Sequence, residues 1–220
     1  MVTRRFIVLG RGFRSPLRRP PVVPRWLLII IIICVCATVG CGPSRPPALT
    51  PPALNPAAVA EAVFERGDLD ADGRLSADER LNVPAIASIS AELDEDGDEA
   101  VSKAEVLRWL ERVKESRVAL ASLSVVVQQG GQPVSNAKVR LIPDPAMGDA
   151  IQEAEGTTDG SGMAVMSAVG AASPGVNCGL YAISVIPAGE GSIDAAESAR
   201  FGIAVGAGLP VGYQTVIDID

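Results

Sequence analysis

The chain has 220 residues, 26 of them acidic, 19 basic and none histidine, and a formal charge of −7. The imbalance grows past residue 40, where 12 basic residues face all 26 acids, a formal charge of −14. So acidic a surface favours cations and excludes nucleic-acid binding, while the missing imidazole removes the usual general base, the commonest zinc ligand and the Ser-His and Cys-His nucleophile pairs.

Seven arginines (Arg4, Arg5, Arg11, Arg14, Arg18, Arg19 and Arg25) precede residue 26, and no acid occurs before Glu61. An apolar run of about fourteen residues follows, Trp26 to Val39, where a bilayer-spanning helix needs roughly 20. A basic start, a short apolar run and a small residue before a break describe an export signal over residues 1–40. In the turn TVGC, Thr38 to Cys41, a small residue stands directly before a cysteine, with Thr38 where leucine is usual. The turn resembles the lipobox of bacterial lipoprotein signal peptides. That resemblance implies cleavage before Cys41, lipid on Cys41, and a place in the cell envelope, membrane-anchored on the extracytoplasmic side. An uncleaved membrane anchor and a signal cut without lipidation are the competing readings.

Cys34 and Cys36 lie in the apolar run and would leave with it. Cys178 then stands alone and reads as a small buried thiol; a Cys41–Cys178 disulfide stays open only if Cys41 carries no lipid. Residues 41–56 include six prolines and almost no charge, the composition of a stiff extended tether.

Next comes a helix-leaning acidic module, residues 57–118. PAAVAEAVFER, Pro56 to Arg66, starts on a proline suited to a first helical turn and puts Val59, Val63 and Phe64 on one face. Pro84 similarly opens a predicted helix PAIASISAEL, with Ile86, Ile89 and Leu93 on one side. A third, KAEVLRWLERVKESRVAL, carries Val106, Leu107, Leu110, Val113 and Leu120 at helical spacing, with Trp109 beside them, and these apolar positions read as core.

Between these helices stand two acidic twelve-residue runs, DLDADGRLSADE (Asp68 to Glu79) and DEDGDEAVSKAE (Asp94 to Glu105), twenty-six residues apart. Calcium prefers six to eight hard oxygen ligands, and a twelve-residue loop supplies them when its acids fall at set offsets. In the first loop Asp68, Asp70 and Asp72 offer carboxylates, Arg74 a backbone carbonyl, Ser76 a ninth-position oxygen and Glu79 a two-oxygen carboxylate, with Gly73 at the sharp turn. In the second the same roles fall to Asp94, Asp96, Asp98, Ala100 (carbonyl), Ser102 and Glu105. Both loops resemble the EF-hand family over residues 56–118, which implies bound calcium and a short β-bridge between Leu75 and Val101. Glu99 stands where the family has glycine, and a left-handed backbone there costs on the order of 1–2 kcal/mol. That predicts weaker calcium binding at the second loop, with Gly97 giving some slack. The alternative for these acids is a solvated charged surface.

From residue 121 the pattern turns to short β-branched runs. Strands are predicted at Leu123–Gln128 and Lys138–Ile142 around a Gly130-Gly131 turn, then after Asp159-Gly160 and Ser161-Gly162, at Tyr181–Ile186, and in FGIAV and YQTVIDID. Residues 189–210 read as loop and edge strand only. Six or seven short strands suggest a β-sandwich over 121–220. Gly131, Pro133, Val134, Ala137 and Val139, then Thr158, Asp159 and Gly162, then Gly179, Tyr181 and Ile183 resemble the carboxypeptidase-regulatory or transthyretin-like domain. The resemblance implies an Ig-like, prealbumin-type sandwich that is a non-catalytic companion.

The fold class expected is therefore multidomain, α and β: a signal peptide, a Pro-rich tether, a helical EF-hand pair and a β-sandwich. No enzyme activity is expected. Two functions compete. In one, a calcium-binding envelope lipoprotein uses its EF-hand pair to support or orient the β domain. In the other, calcium opens the pair to bind a protein partner, as sensors or docking modules do. Sensor pairs are rich in methionine and residues 56–118 have none, which favours the first.

Overall fold

The computed structural model describes residues 49–171, 173–188, 201–206 and 213–219. The first helix, α1 (Pro56–Gly67), starts where the Asn55 side chain accepts the Ala58 N–H and Pro56 fills the first turn, and it buries Val59, Ala60, Val63 and Phe64. After the first acidic loop, which contains the two-residue strand β1 (Arg74–Leu75), the chain makes a 3-10 turn over Glu79–Asn82. The predicted continuous helix from Pro84 to Leu93 is broken in two, α2 (Pro84–Ala87) and α3 (Ser90–Leu93). Serine hydroxyls cause the break: Ser88 Oγ donates to Ala85 O at 2.7 Å and Ser90 Oγ to Ala87 O at 3.1 Å. They satisfy locally the carbonyls a helix would use, and Ile89 between them leaves helical geometry.

The second loop carries strand β2 (Val101–Ser102) and leads into α4 (Lys103–Ser116). A capping box starts α4: Ser102 Oγ accepts the Glu105 N–H, and the Glu105 carboxylate accepts the Ser102 N–H. Val106, Trp109, Leu110 and Val113 are buried as predicted, and Leu107 is half-buried. The helix stops four residues before Leu120, because Arg117 turns left-handed (φ 53°).

The remaining strands form two sheets. Five strands, β10 (Phe201–Val205), β9 (Gly179–Ile186), β5 (Lys138–Pro143), β6 (Ala154–Thr157) and β8 (Ser167–Ala168), pair in that order, all antiparallel. In the second sheet β3 (Leu123–Gln129) is central. It pairs in parallel with β11 (Tyr213–Asp218) and antiparallel with β4 (Gln132–Pro133) and β7 (Met163–Val165). The Gly130-Gly131 turn joins β3 to β4, and β10 is an edge strand, both as expected. Strands β4, β6 and β8 have no sequence signal: each is four residues or fewer and lacks a β-branched run. Alternation on β3 (Leu123, Val125, Val127) and β5 (Val139, Leu141) sends these side chains into the core.

The helices do not stand apart from the sheets. Every described residue falls in one compact unit, Pro46–Asp220, and one apolar cluster runs from Leu54 through Val63, Ile86 and Leu110 to Leu141, Tyr181 and Ile203. Even the end of the Pro-rich segment joins it, since Leu54 is buried. Helix α2 lies on β9 and β10. Small residues make that approach possible. On β10 the small residues Gly202 and Ala204 alternate with Phe201, Ile203 and Val205, and Gly202 pairs with Ala182 of β9. A Cβ on Gly202 would stand 2.2 Å from Ala85 N and 2.3 Å from Pro84 C. Arg66 Nη2 donates to both carboxylate oxygens of Asp144, at 2.9 and 2.7 Å, tying α1 to the turn after β5. The predicted signal segment 1–40 and the predicted lipidation site Cys41 lie outside the described residues, as do 189–200 and 207–212.

Candidate metal centre

The two acidic loops fold alike. In the first, Asp68 Oδ1 accepts the Asp72 N–H (3.2 Å) and Oδ2 the Gly73 N–H (2.9 Å), while Asp70 Oδ1 accepts the Asp72 N–H (3.1 Å). In the second, Asp94 takes the Asp98 and Glu99 N–H groups at 3.1 and 3.0 Å, and Asp96 the Asp98 N–H at 3.3 Å. The backbone of each loop therefore curls around its first carboxylate. The closing glutamates also match. Glu79 Oε1 accepts the Leu69 N–H at 2.8 Å, and Oε2 accepts Ser76 N–H and Oγ–H at 2.9 and 2.7 Å. Glu105 repeats this with Glu95 N–H (2.9 Å) and Ser102 N–H and Oγ–H (2.8 and 2.7 Å).

These bonds keep both glutamates ionised. The Ser76 hydroxyl, then the Ser76 and Leu69 amides, hold the Glu79 carboxyl down to about 2. At Glu105 burial opposes ionisation, but the Ser102, Glu95 and Asp96 donors outweigh it and hold the carboxyl below its ordinary value. Both are buried, whereas Asp70 and Asp96 are exposed and Asp68 and Asp94 are partly so. Carboxylate oxygens of Asp68, Asp70 and Glu79 lie within 4.8 Å of one another, as do those of Asp94, Asp96 and Glu105. Each group can hold a metal ion. Its donors are all hard oxygen, which suits a hard divalent cation and not a soft one.

Six of the twelve predicted ligand residues thus converge. Asp72 and Asp98 stand outside the two groups: their Oδ1 atoms accept the N–H groups of Arg74 (2.8 Å) and Ala100 (3.0 Å). Ser76 and Ser102 hydroxyls are taken up by the glutamates. Arg74 and Ala100 contribute to the framework, Arg74 through the pairing of β1 with β2, in which Arg74 faces Ser102 and Leu75 faces Val101. The expected bridge at the eighth positions is present, with Leu75 and Val101 fully buried beneath the loops.

The expected difference in backbone strain between the loops is not found. Glu99 is left-handed (φ 66°), as predicted. The fourth position of each loop is left-handed too, however, and there the first loop has Ala71 (φ 60°) and the second Gly97 (φ 74°). Each loop carries one glycine and one strained non-glycine at these two positions, so strain does not separate them. The sequence reading also missed the charges around the second loop. Glu95 sits between Arg108 (3.1 Å) and Arg112 (3.0 Å) of α4, and Arg74 pairs with Asp98 across the two loops. The four-residue spacing of Arg108 and Arg112 on one helix face was the available signal. No family model and no characterised protein matches the chain.

Proposed function

We propose that this protein is a calcium-binding, non-catalytic envelope lipoprotein in which an EF-hand pair supports and orients a prealbumin-type β-sandwich. The observation that carries this reading is the repetition of one carboxylate arrangement, with matching hydrogen bonds, in two loops joined by a β-bridge. Acids that were merely solvated would have no reason to adopt the same inward geometry twice. Asp68, Asp70 and Glu79 would hold one ion, and Asp94, Asp96 and Glu105 a second. A bound ion supplies positive charge between carboxylates that otherwise repel, and so adds RT ln(1 + c/Kd) to stability, about 2.7 kcal/mol when free calcium c is a hundredfold above Kd. Extracellular modules of this kind bind at roughly 10⁻⁴–10⁻³ M, which suits a structural ion outside the cell.

A structural role is favoured over a sensor's by the seat of α2. A sensor pair opens by moving its helices. Here α2, which lies between the two loops, rests on β10 with its backbone against Gly202. Opening would tear it from the sheet.

Calorimetric titration of the full chain in detergent micelles tests the reading. Two calcium ions are expected, with one binding event lost in Glu79→Gln and another in Glu105→Gln; no uptake at millimolar calcium refutes it. The anchor is tested separately, since Cys41→Ala should move the protein from the membrane to the soluble fraction.

A further inference from the structure

The two loops share their backbone geometry but not their electrostatics. In the first loop none of Asp68, Asp70, Asp72 and Glu79 forms an ion pair among the described residues. In the second, Asp98 Oδ2 is held by the Arg74 guanidinium, which reaches across from the first loop. The Asp98 Oδ1 atom is occupied by the Ala100 N–H, so both of its oxygens are engaged. The pairing cannot be reciprocal. The residue that corresponds to Arg74 in the second loop is Ala100, which has no charge to offer Asp72. Both members of the pair are partly exposed, Arg74 at 49% and Asp98 at 31% of the side chain, so the arginine is free to leave.

We propose that Arg74 is a built-in counter-ion that competes with calcium for the second loop and thereby makes the first loop fill before the second. This rests on the calcium reading above. Without metal, the guanidinium neutralises one carboxylate of the second loop. Asp98 stands outside the group of Asp94, Asp96 and Glu105, as Asp72 stands outside its own. Drawing Asp98 in as a further ligand means displacing Arg74, whereas Asp72 has no such competitor. A partly exposed ion pair is worth little, so the competition weakens the second loop by roughly two- to fivefold at low salt, and screening diminishes it as ionic strength rises. The arginine's own backbone carbonyl stays in the first loop in any side-chain variant, which separates its two roles.

The test is a calcium titration of the full chain in detergent micelles, followed by NMR at two amides. Gly73 N–H donates to Asp68 and Glu99 N–H to Asp94, so each reports on its own loop. In the wild type the Gly73 resonance should move at lower calcium than that of Glu99. In Arg74→Ala the Glu99 midpoint should fall two- to fivefold at low salt, and the Gly73 midpoint by less than half as much. Lys114→Ala removes the same charge from a residue of α4 outside both loops and should leave the gap between midpoints unchanged. Equal shifts of both amides in Arg74→Ala, no shift, or the same narrowing in Lys114→Ala would overturn the competition while leaving calcium binding intact. Failure of either amide to respond in the wild type would instead strike the calcium reading itself.

Discussion

Gly202→Ala is expected to damage both the sheet and the proposed calcium site, although it touches no loop residue. The new methyl would stand 2.2 Å from Ala85 N, 2.3 Å from Pro84 C and 2.7 Å from Pro84 O. All three are backbone atoms, so no rotamer change can relieve the clash, and ordinary contact requires α2 to retreat by about 1 Å. Overpacking of this kind costs roughly 1–3 kcal/mol. For a unit of 150–250 residues each kcal/mol lowers Tm by about 2–4 °C, so a fall of roughly 2–12 °C is expected. Because α2 lies between Glu79 and Asp94, its displacement should also shrink the rise in Tm that the proposed calcium binding predicts. Thermal unfolding of the full chain with calcium and with excess chelator measures both effects. Gly160→Ala is the control, since a Cβ there meets nothing within 4 Å. A Gly202→Ala protein that melts with the wild type, with the same calcium increment, would refute the idea that helices and sheets form one mechanical unit.

Two further outcomes follow from buried groups. Arg66→Ala strands the Asp144 carboxylate, which is buried at 6% exposure and would keep only the Ala146 N–H at 2.9 Å. Breaking a fully buried pair costs about 3–5 kcal/mol; with Arg66 a third exposed, about 1–3 kcal/mol is expected in urea unfolding, and Arg66→Ala/Asp144→Ala should recover part of it. Burial pushes the Cys178 thiol up to about 11. Thiol reagents at pH 8, read by peptide mass mapping, should leave Cys178 unmodified until the protein is unfolded. The folded value lies above the ordinary 9.0, so the folded state holds the proton more tightly. This contribution to stability is complete below about pH 9 and is lost as pH rises towards 11.

The two acidic loops were legible because their information is local. A ligand offset is fixed by a few consecutive backbone dihedrals, so Asp68, Asp70 and Glu79, and their counterparts twenty-six residues on, could be read from spacing alone. The same holds for the start of α1 at Pro56 and for the Gly130-Gly131 turn; the Asn55 cap and the Ser102–Glu105 capping box of α4 emerged only in the structure. Short-range competition already escaped that reading. Ser88 and Ser90 broke a helix whose apolar spacing was continuous, and Ala71 took on strain that the loop pattern does not mark.

Sequence alone therefore determined which residues could gather around a cation and where most strands lie. Only the tertiary structure decided that β11 pairs in parallel with β3, that α2 rests on Gly202, and that Arg74 finds Asp98. Each of these joins segments whose meeting depends on how the whole chain closes. Periodicity reports which face of an element is buried, but it carries no label for the partner that covers that face.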